Sequence, residues 1–202
     1  MKLKSIINDV RDLVSMFYGN QIDAQKRKKY DDYCANMFAE KAEQDVERVF
    51  SALGNIRKIK EEKQRKTPDY VIDSAKMVIE IKSVSDVEIP LRILTERHVE
   101  QYVDEALLKD YSPYSGYYKG VVIVVPRLPL VLSEDVLNRL KNSFKQVYVN
   151  RKGKIDFIAL LPRQDYIDNE PFGKISTLYI WCSDEHLAEK FRKVDGVEID
   201  PC

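Results

Sequence analysis

The sequence predicts an α/β (α+β) domain built on a central mixed β-sheet flanked by helices. Three observations predict it. Helical periodicity fills the first quarter of the chain. A run of short, β-rich segments separated by turn residues follows, from about Asn55 to Val84. After the next helical stretch comes the continuous β-branched run GVVIVV at 120–125, the pattern of a strand buried on both faces.

Taken in order, Ile6, Ile7, Val10, Leu13, Val14 and Phe17 recur at helical spacing and predict a helix over 5–18, with Ser5 as N-cap and Gly19 as its stop. A second pattern, from Ala24 to Leu53, is one long helix or two: its first half is polar with interleaved aromatics, its second cleanly amphipathic. NIRKIK, DYVID and MVIEIKSV are strand signals, with DSAK turning between the last two. Residues 95–109 return to helical character, and DYSPYSGYY is a loop by its Pro, Gly and Ser content. SEDVLNRLKNSF predicts a helix capped by Ser133, and QVYVNRKGKIDFIALLP a hairpin turning at Arg151–Lys154. ISTLYIWCS is a further strand, and DEHLAEKFRKV a short helix capped by Ser183 or Asp184. With no repeat, low-complexity tract or linker, 202 residues make one domain with one sizeable core. It comprises a helical extension (1–38), a core (39–126), and C-terminal strands with a helix (127–202).

Composition narrows the classes. An apolar fraction of 44% and a charged fraction of 33% fit a globular protein with a solvated surface. No apolar run approaches the roughly 20 residues of a membrane span, and the N-terminus lacks a signal-peptide pattern, so an intracellular, cytoplasmic protein is expected. Cys34, Cys182 and Cys202 lie far apart without metal-ligand spacing and read as ordinary thiols. A formal net charge of zero argues against binding nucleic acid through bulk charge, while leaving a local basic surface open. Two basic clusters are present, Lys26–Lys29 and Arg57–Lys66.

The segment TPDYVIDSAKMVIEIKSV carries charges where a core hairpin should be apolar. Alternate side chains of a strand share a face, so Val78, Glu80 and Lys82 point one way, and Ile79, Ile81 and Ser83 the other. Such a strand is internal, which puts Glu80 and Lys82 near the interior. A short hairpin brings Asp69 beside Glu80. Two adjacent carboxylates repel unless a cation lies between them, and hard oxygen ligands suit Mg²⁺ or Mn²⁺. Pro68, lacking an N–H, fixes the start of its strand and hence the aim of Asp69. Lys82 has two candidate roles: neutralising the acids, or holding an attacking water and charge growing on a phosphate.

Pro68-Asp69, ten intervening residues, then Glu80-Ile81-Lys82 resembles the signature of the PD-(D/E)XK nuclease superfamily, which includes restriction endonucleases and archaeal Holliday junction resolvases. The resemblance covers roughly Ala39 to Pro126. It implies a restriction-endonuclease-like core in the order helix, three strands, helix, strand. It also implies that Asp69, Glu80 and the Ile81 carbonyl hold a divalent metal, and that Lys82 positions or activates the attacking water. Many members add an acid from the first helix. Glu40, Glu43 and Glu47 are candidates, and Glu43, on the border of the apolar stripe, is preferred. Several members place a polar residue, often Gln, on the helix after the Glu-x-Lys strand, which points to Gln101.

The activity expected on this resemblance is Mg²⁺- or Mn²⁺-dependent hydrolysis of phosphodiester bonds in DNA, by an endonuclease. The alternatives are a catalytically silent DNA-binding or scaffold protein and an RNA-cutting nuclease. Lys26, Arg27, Lys28, Lys29, Arg65, Lys66 and Arg97 are candidate contacts to nucleic acid. His98, His186 and the turn at Asn150–Lys154 are weaker ones. Tyr111, Tyr114, Tyr117 and Tyr118 cluster in one loop and either plug it onto the core or stack on bases. A homodimer would place two sites for symmetric cutting of two strands.

Overall fold

The computed structural model describes residues 24–60, 65–84, 95–125, 134–162, 166–167, 170–171 and 177–202; within these, the side chains of 24–31, 34–35, 38, 134–137, 166–167 and 170–171 are left aside. The chain divides into two compact units, Met1–Met37 and Phe38–Cys202. The helix expected over 5–18 lies outside the described residues, as does Ser133.

The pattern from Ala24 onward is a single helix, α1 (Ala24–Phe50). Its second half buries Ala42, Val46 and Phe50, spaced four apart on one face, and a 3₁₀ turn at Ser51–Leu53 closes it. There follow β1 (Ile56–Lys58), β2 (Tyr70–Ile72), β3 (Met77–Ser83), α2 (Glu96–Leu107), β4 (Tyr118–Val125), α3 (Glu134–Arg151), β5 (Phe157–Pro162), β6 (Tyr166–Ile167), β7 (Glu170–Pro171), β8 (Leu178–Cys182), α4 (Glu185–Phe191) and β9 (Val197–Pro201). Among the described residues the main sheet has seven strands in the order β1-β2-β3-β4-β5-β8-β9, and β6 pairs with β7 separately. The sheet is mixed: β1–β2, β2–β3 and β5–β8 are antiparallel, whereas β3–β4, β4–β5 and β8–β9 are parallel. The expected α/β class and the order helix, three strands, helix, strand are both present.

Strand direction explains where the helices lie. Parallel strands in one sheet are joined by right-handed crossovers. The β3–α2–β4 and β4–α3–β5 connections advance the same way, so α2 and α3 share a face. There Val99, Val103, Phe144 and Val147 pack on Val121, Ile123, Ile158 and Leu160. At β8 the strand direction reverses, and the crossover through α4 falls on the opposite face. Leu187 and Phe191 there join Ala42, Val46 and Phe50 over Ile72, Ile79, Val122 and Phe157.

Two expectations about the C-terminal third need correction. QVYVN is not a strand of a hairpin: helix α3 continues through it to Arg151. Leu140, Phe144, Val147 and Tyr148 are all buried, a helical spacing that overrides the β-propensity of Val147-Tyr148-Val149. The turn predicted there exists, with Gly153 in the left-handed region (φ 88°); it joins a helix to a strand and leaves β5 parallel to β4. The last strand, β9, was not foreseen in VEIDP. Asp184, and not Ser183, caps α4: its Oδ1 accepts the Leu187 N–H at 2.9 Å. Among the described residues no helix is long and apolar enough to cross a membrane.

Candidate active site

The register of the β2–β3 hairpin builds the site. Tyr70 stands opposite Ile79 as the outermost pair of the ladder, and Asp69 follows it against the Ile79–Ile81 stretch of β3. Asp69 is pinned through three groups. Its N–H donates to the Ile79 carbonyl (3.1 Å), and its carbonyl accepts the Ile59 N–H (2.8 Å). Its carboxylate Oδ2 accepts the Ile81 N–H at 2.7 Å. The face assignment of β3 also holds: Met77, Ile79 and Ile81 lie toward α1, and Val78 lies toward the tyrosine loop, so Glu80 and Lys82 share the α2 side.

Glu80 is buried, with 1% of its surface exposed. Its Oε1 meets two ammonium groups, Lys82 Nζ at 3.1 Å and Lys109 Nζ at 3.2 Å. Its Oε2 is buried with no hydrogen-bond partner. Burial, and then the charge of Asp69, push the Glu80 carboxyl up to about 7, against the pull of the two lysines. Burial likewise raises Asp69, opposed by the Ile81 N–H and Lys109. The two acids therefore crowd each other in a poorly solvated place, the situation that a cation relieves.

The donor set fits a small hard cation. A buried carboxylate oxygen without a partner sits beside a second carboxylate. The Val84 N–H bonds to the Val124 carbonyl, so by strand alternation residues 80, 82 and 84 direct their main-chain groups at β4. Those of 79 and 81 face β2, which aims the Ile81 carbonyl at the side where Asp69 lies. Two carboxylates and a carbonyl, completed by water, make an oxygen site of the kind Mg²⁺ or Mn²⁺ takes. Among the described residues no group of three or more His, Cys, Asp or Glu side chains gathers around a metal position. Asp69 and Glu80 are two such side chains, and with the Ile81 carbonyl they are the ligands that the resemblance implies.

The helix acid is drawn elsewhere. Glu43 Oε2 accepts from Lys58 Nζ and from Tyr70 Oη at 3.2 Å, while Glu47 Oε1 accepts from Tyr70 Oη at 2.7 Å. Glu40 is exposed. The charge of Glu43 adds a little to the rise of the Asp69 carboxyl, while its own contacts are to Lys58 and Tyr70. Burial, and the two glutamates around it, hold the Tyr70 phenol protonated.

Gln101 reaches the site at second hand: its Nε2 donates to Glu105 Oε1 (3.1 Å), and Glu105 Oε2 lies 3.6 Å from Lys82 Nζ. Lys109 and Glu105 were not foreseen. With Gln101 they recur every four residues along α2 and its exit, a stripe legible as i, i+4, i+8. Arg97 is exposed one step earlier in the same series. His98 is a helix cap, its Nδ1 accepting the Thr95 N–H at 3.3 Å, and His186 is exposed beside Glu189.

The basic segment Arg57–Lys66 flanks the site at both ends. Lys58 meets Glu43, and Asp69 adds to the fields raising its ammonium. Arg65 pairs with Asp110 at 2.8 Å, and the Lys66 carbonyl accepts the Asp110 N–H at 2.7 Å. Lys26, Arg27, Lys28 and Lys29 are on the first turns of α1, with side chains outside those described. Arg151 is engaged by Asp104 on α2, with two bonds at 2.8 and 2.9 Å, so the basic turn beyond α3 is in part a helix–helix clamp. The tyrosine loop is a plug: Tyr111, Tyr114 and Tyr117 pack on Ile59, Val71 and Val78. Tyr111 still feels the acid pair, its phenol raised by burial and by the charges of Glu80 and Asp69, and Lys119 Nζ lies 5.8 Å from its ring centre. Cys182 and Cys202 are free thiols.

No family model, no curated protein and no solved structure matches the chain.

Proposed function

We propose that this chain is a metal-dependent deoxyribonuclease with a PD-(D/E)XK-type active site, acting inside the cell. One observation carries the reading: the buried carboxylate of Glu80, with one oxygen unpartnered and the other held by two lysine ammonium groups, beside the half-buried Asp69. When bound, Mg²⁺ or Mn²⁺ would polarise the phosphate and lower the cost of deprotonating water.

The chain's own residues divide the remaining work. Asp69, Glu80 and the Ile81 carbonyl hold the cation's place. Lys82, fixed on the same strand face as Glu80, orients the attacking water. In the reaction, water adds to phosphorus and one phosphorus–oxygen bond to the sugar breaks. The proton lost by the water passes to solvent, and the leaving oxygen takes one up. The second reading, a DNA-binding protein without catalysis, is favoured by one observation: Glu43 is held by Lys58 and Tyr70 and is not turned onto the acid pair.

A panel of labelled substrates separates the two. Linear duplex, nicked, flap, four-way-junction and single-stranded DNA, with an RNA strand, are each incubated with Mg²⁺, Mn²⁺ or EDTA, beside Asp69→Ala protein. Metal-dependent cutting of DNA that disappears in the variant is the expected result. Cutting of RNA alone, or of nothing, rejects the deoxyribonuclease.

A further inference from the structure

Among the described residues, Lys109 is the cation paired with Glu80 that the Glu-x-Lys strand does not supply. It comes from the exit of α2, beyond Leu107, and reaches the same Glu80 oxygen that Lys82 holds. Its main chain is anchored. The Lys109 N–H donates to the Ala106 carbonyl at 3.1 Å, and the next residue, Asp110, donates its N–H to Lys66. Asp110 in turn pairs with Arg65 and accepts the Ser112 N–H at 2.9 Å. The ammonium is thus brought to Glu80 from a fixed base.

We infer that Lys109 is a contact to the phosphate undergoing hydrolysis, held in position by Glu80 until substrate arrives. This rests on the nuclease reading and deepens it. Two features assign the role. The first is position: Glu80 is buried, whereas the side chains of Lys82 and Lys109 are 18% and 19% exposed, so a ligand entering from solvent meets the ammonium groups before the Glu80 carboxylate. An ammonium has three N–H donors, and Glu80 Oε1 uses one of those on Lys109.

The second is charge. A phosphodiester carries one negative charge and its five-coordinate transition state two, so an ammonium beside it is attracted more strongly as the reaction proceeds. Lys109 therefore stabilises the transition state more than the ground state.

The same placement makes Lys109 a competitor of the metal in the free protein, which supplies a readout independent of cutting. Wild type, Lys109→Met, Lys109→Gln and Lys109→Arg proteins are titrated with Mn²⁺ by calorimetry. They are then assayed for kcat and KM on the DNA that wild type cuts best. Lys109→Met and Lys109→Gln are expected to bind Mn²⁺ about tenfold more tightly, since a cation beside the site is gone. Both should lose kcat about a hundredfold with a smaller change in KM. Lys109→Arg is expected to bind Mn²⁺ as wild type does and to recover most of kcat.

Unchanged Mn²⁺ affinity and kcat in both neutral variants overturns the assignment. So does a parallel fall in both that Lys109→Arg does not rescue, or failure of both neutral variants to fold, because either result makes the residue structural. Wild-type protein that binds no Mn²⁺ and cuts nothing rejects the nuclease itself, and Lys109's role with it.

Discussion

Lys82→Met protein is expected to cut DNA about a thousandfold more slowly than wild type while binding it within a few fold. Methionine keeps most of the unbranched stem and loses the ammonium, so packing changes little where only 18% of the side chain is exposed. On the proposed reading, the lost functions are the orientation of the attacking water and the local positive charge. Groups in such roles contribute about 10²–10⁴ in rate, and a thousandfold corresponds to about 4 kcal/mol of transition-state stabilisation. Binding is measured with Ca²⁺ in place of Mg²⁺, by anisotropy of a labelled duplex, and kcat by single-turnover cutting in Mg²⁺. A kcat within threefold of wild type would reduce Lys82 to a counter-ion of Glu80.

The second large effect is on stability, and it has the opposite sign to the loss of activity. Glu80 titrates at about 7 in the folded protein against a reference of 4.5, chiefly because it is buried. The folded state thus holds this proton more tightly than the unfolded chain. Its contribution is fully present below about pH 4.5 and is lost as pH rises through about 7, by about 3 kcal/mol. Burial raises Asp69 in the same direction. Glu80→Gln mimics the protonated acid at every pH, and its new amide N–H₂ can donate to Asp69.

In EDTA at pH 8, Glu80→Gln is therefore expected to melt about 6–12 °C above wild type, with the two converging near pH 4. The same substitution should abolish metal-dependent cutting. The comparison is read as variant minus wild type across pH, which cancels the titration of groups that do not feel Glu80 and leaves that of the coupled Asp69–Glu80 pair. A variant less stable than wild type at pH 8 would mean that the lysine partners outweigh the burial of the charge. Such a trade, stability surrendered where function needs crowded acids, is common at active sites.

The hairpin that makes the site was legible because local rules suffice there. Pro68 marks the start of a strand, alternation assigns Glu80 and Lys82 to one face, and the turn between Ile72 and Met77 is short enough to fix the register. The eight residues between Lys58 and Thr67 did not hide β1, although that strand is only three residues long. What local rules missed depends on partners distant in sequence. Val147 and Tyr148 read as strand by propensity, yet Phe144 stacks on Trp181 with ring centres 5.0 Å apart, and that packing against β8 belongs to a helical face. The edge strand β9 is half polar and pairs only with β8, so its hydrophobic pattern is weak.

The site was read in the same uneven way. Asp69, Glu80 and Lys82 sit in one motif, whereas Lys109 and Glu105 come from a helix that the crossover returns to the motif. Their four-residue spacing from Gln101 was visible, but nothing in it indicated which face of α2 meets β3. Among Glu40, Glu43 and Glu47, helical phase alone favoured Glu43. The structure adds that Lys58 and Tyr70 compete for it, a contact across strands that periodicity does not encode.

The central claim is that Asp69 and Glu80 form a place for a divalent cation. The most direct measurement is anomalous scattering from crystals of the protein soaked in Mn²⁺. A single strong peak is expected, bounded by the Asp69 carboxylate, Glu80 Oε2 and the Ile81 carbonyl, with water filling its other positions. No peak between the two carboxylates at millimolar Mn²⁺, with Lys82 and Lys109 still closed on Glu80, would contradict it.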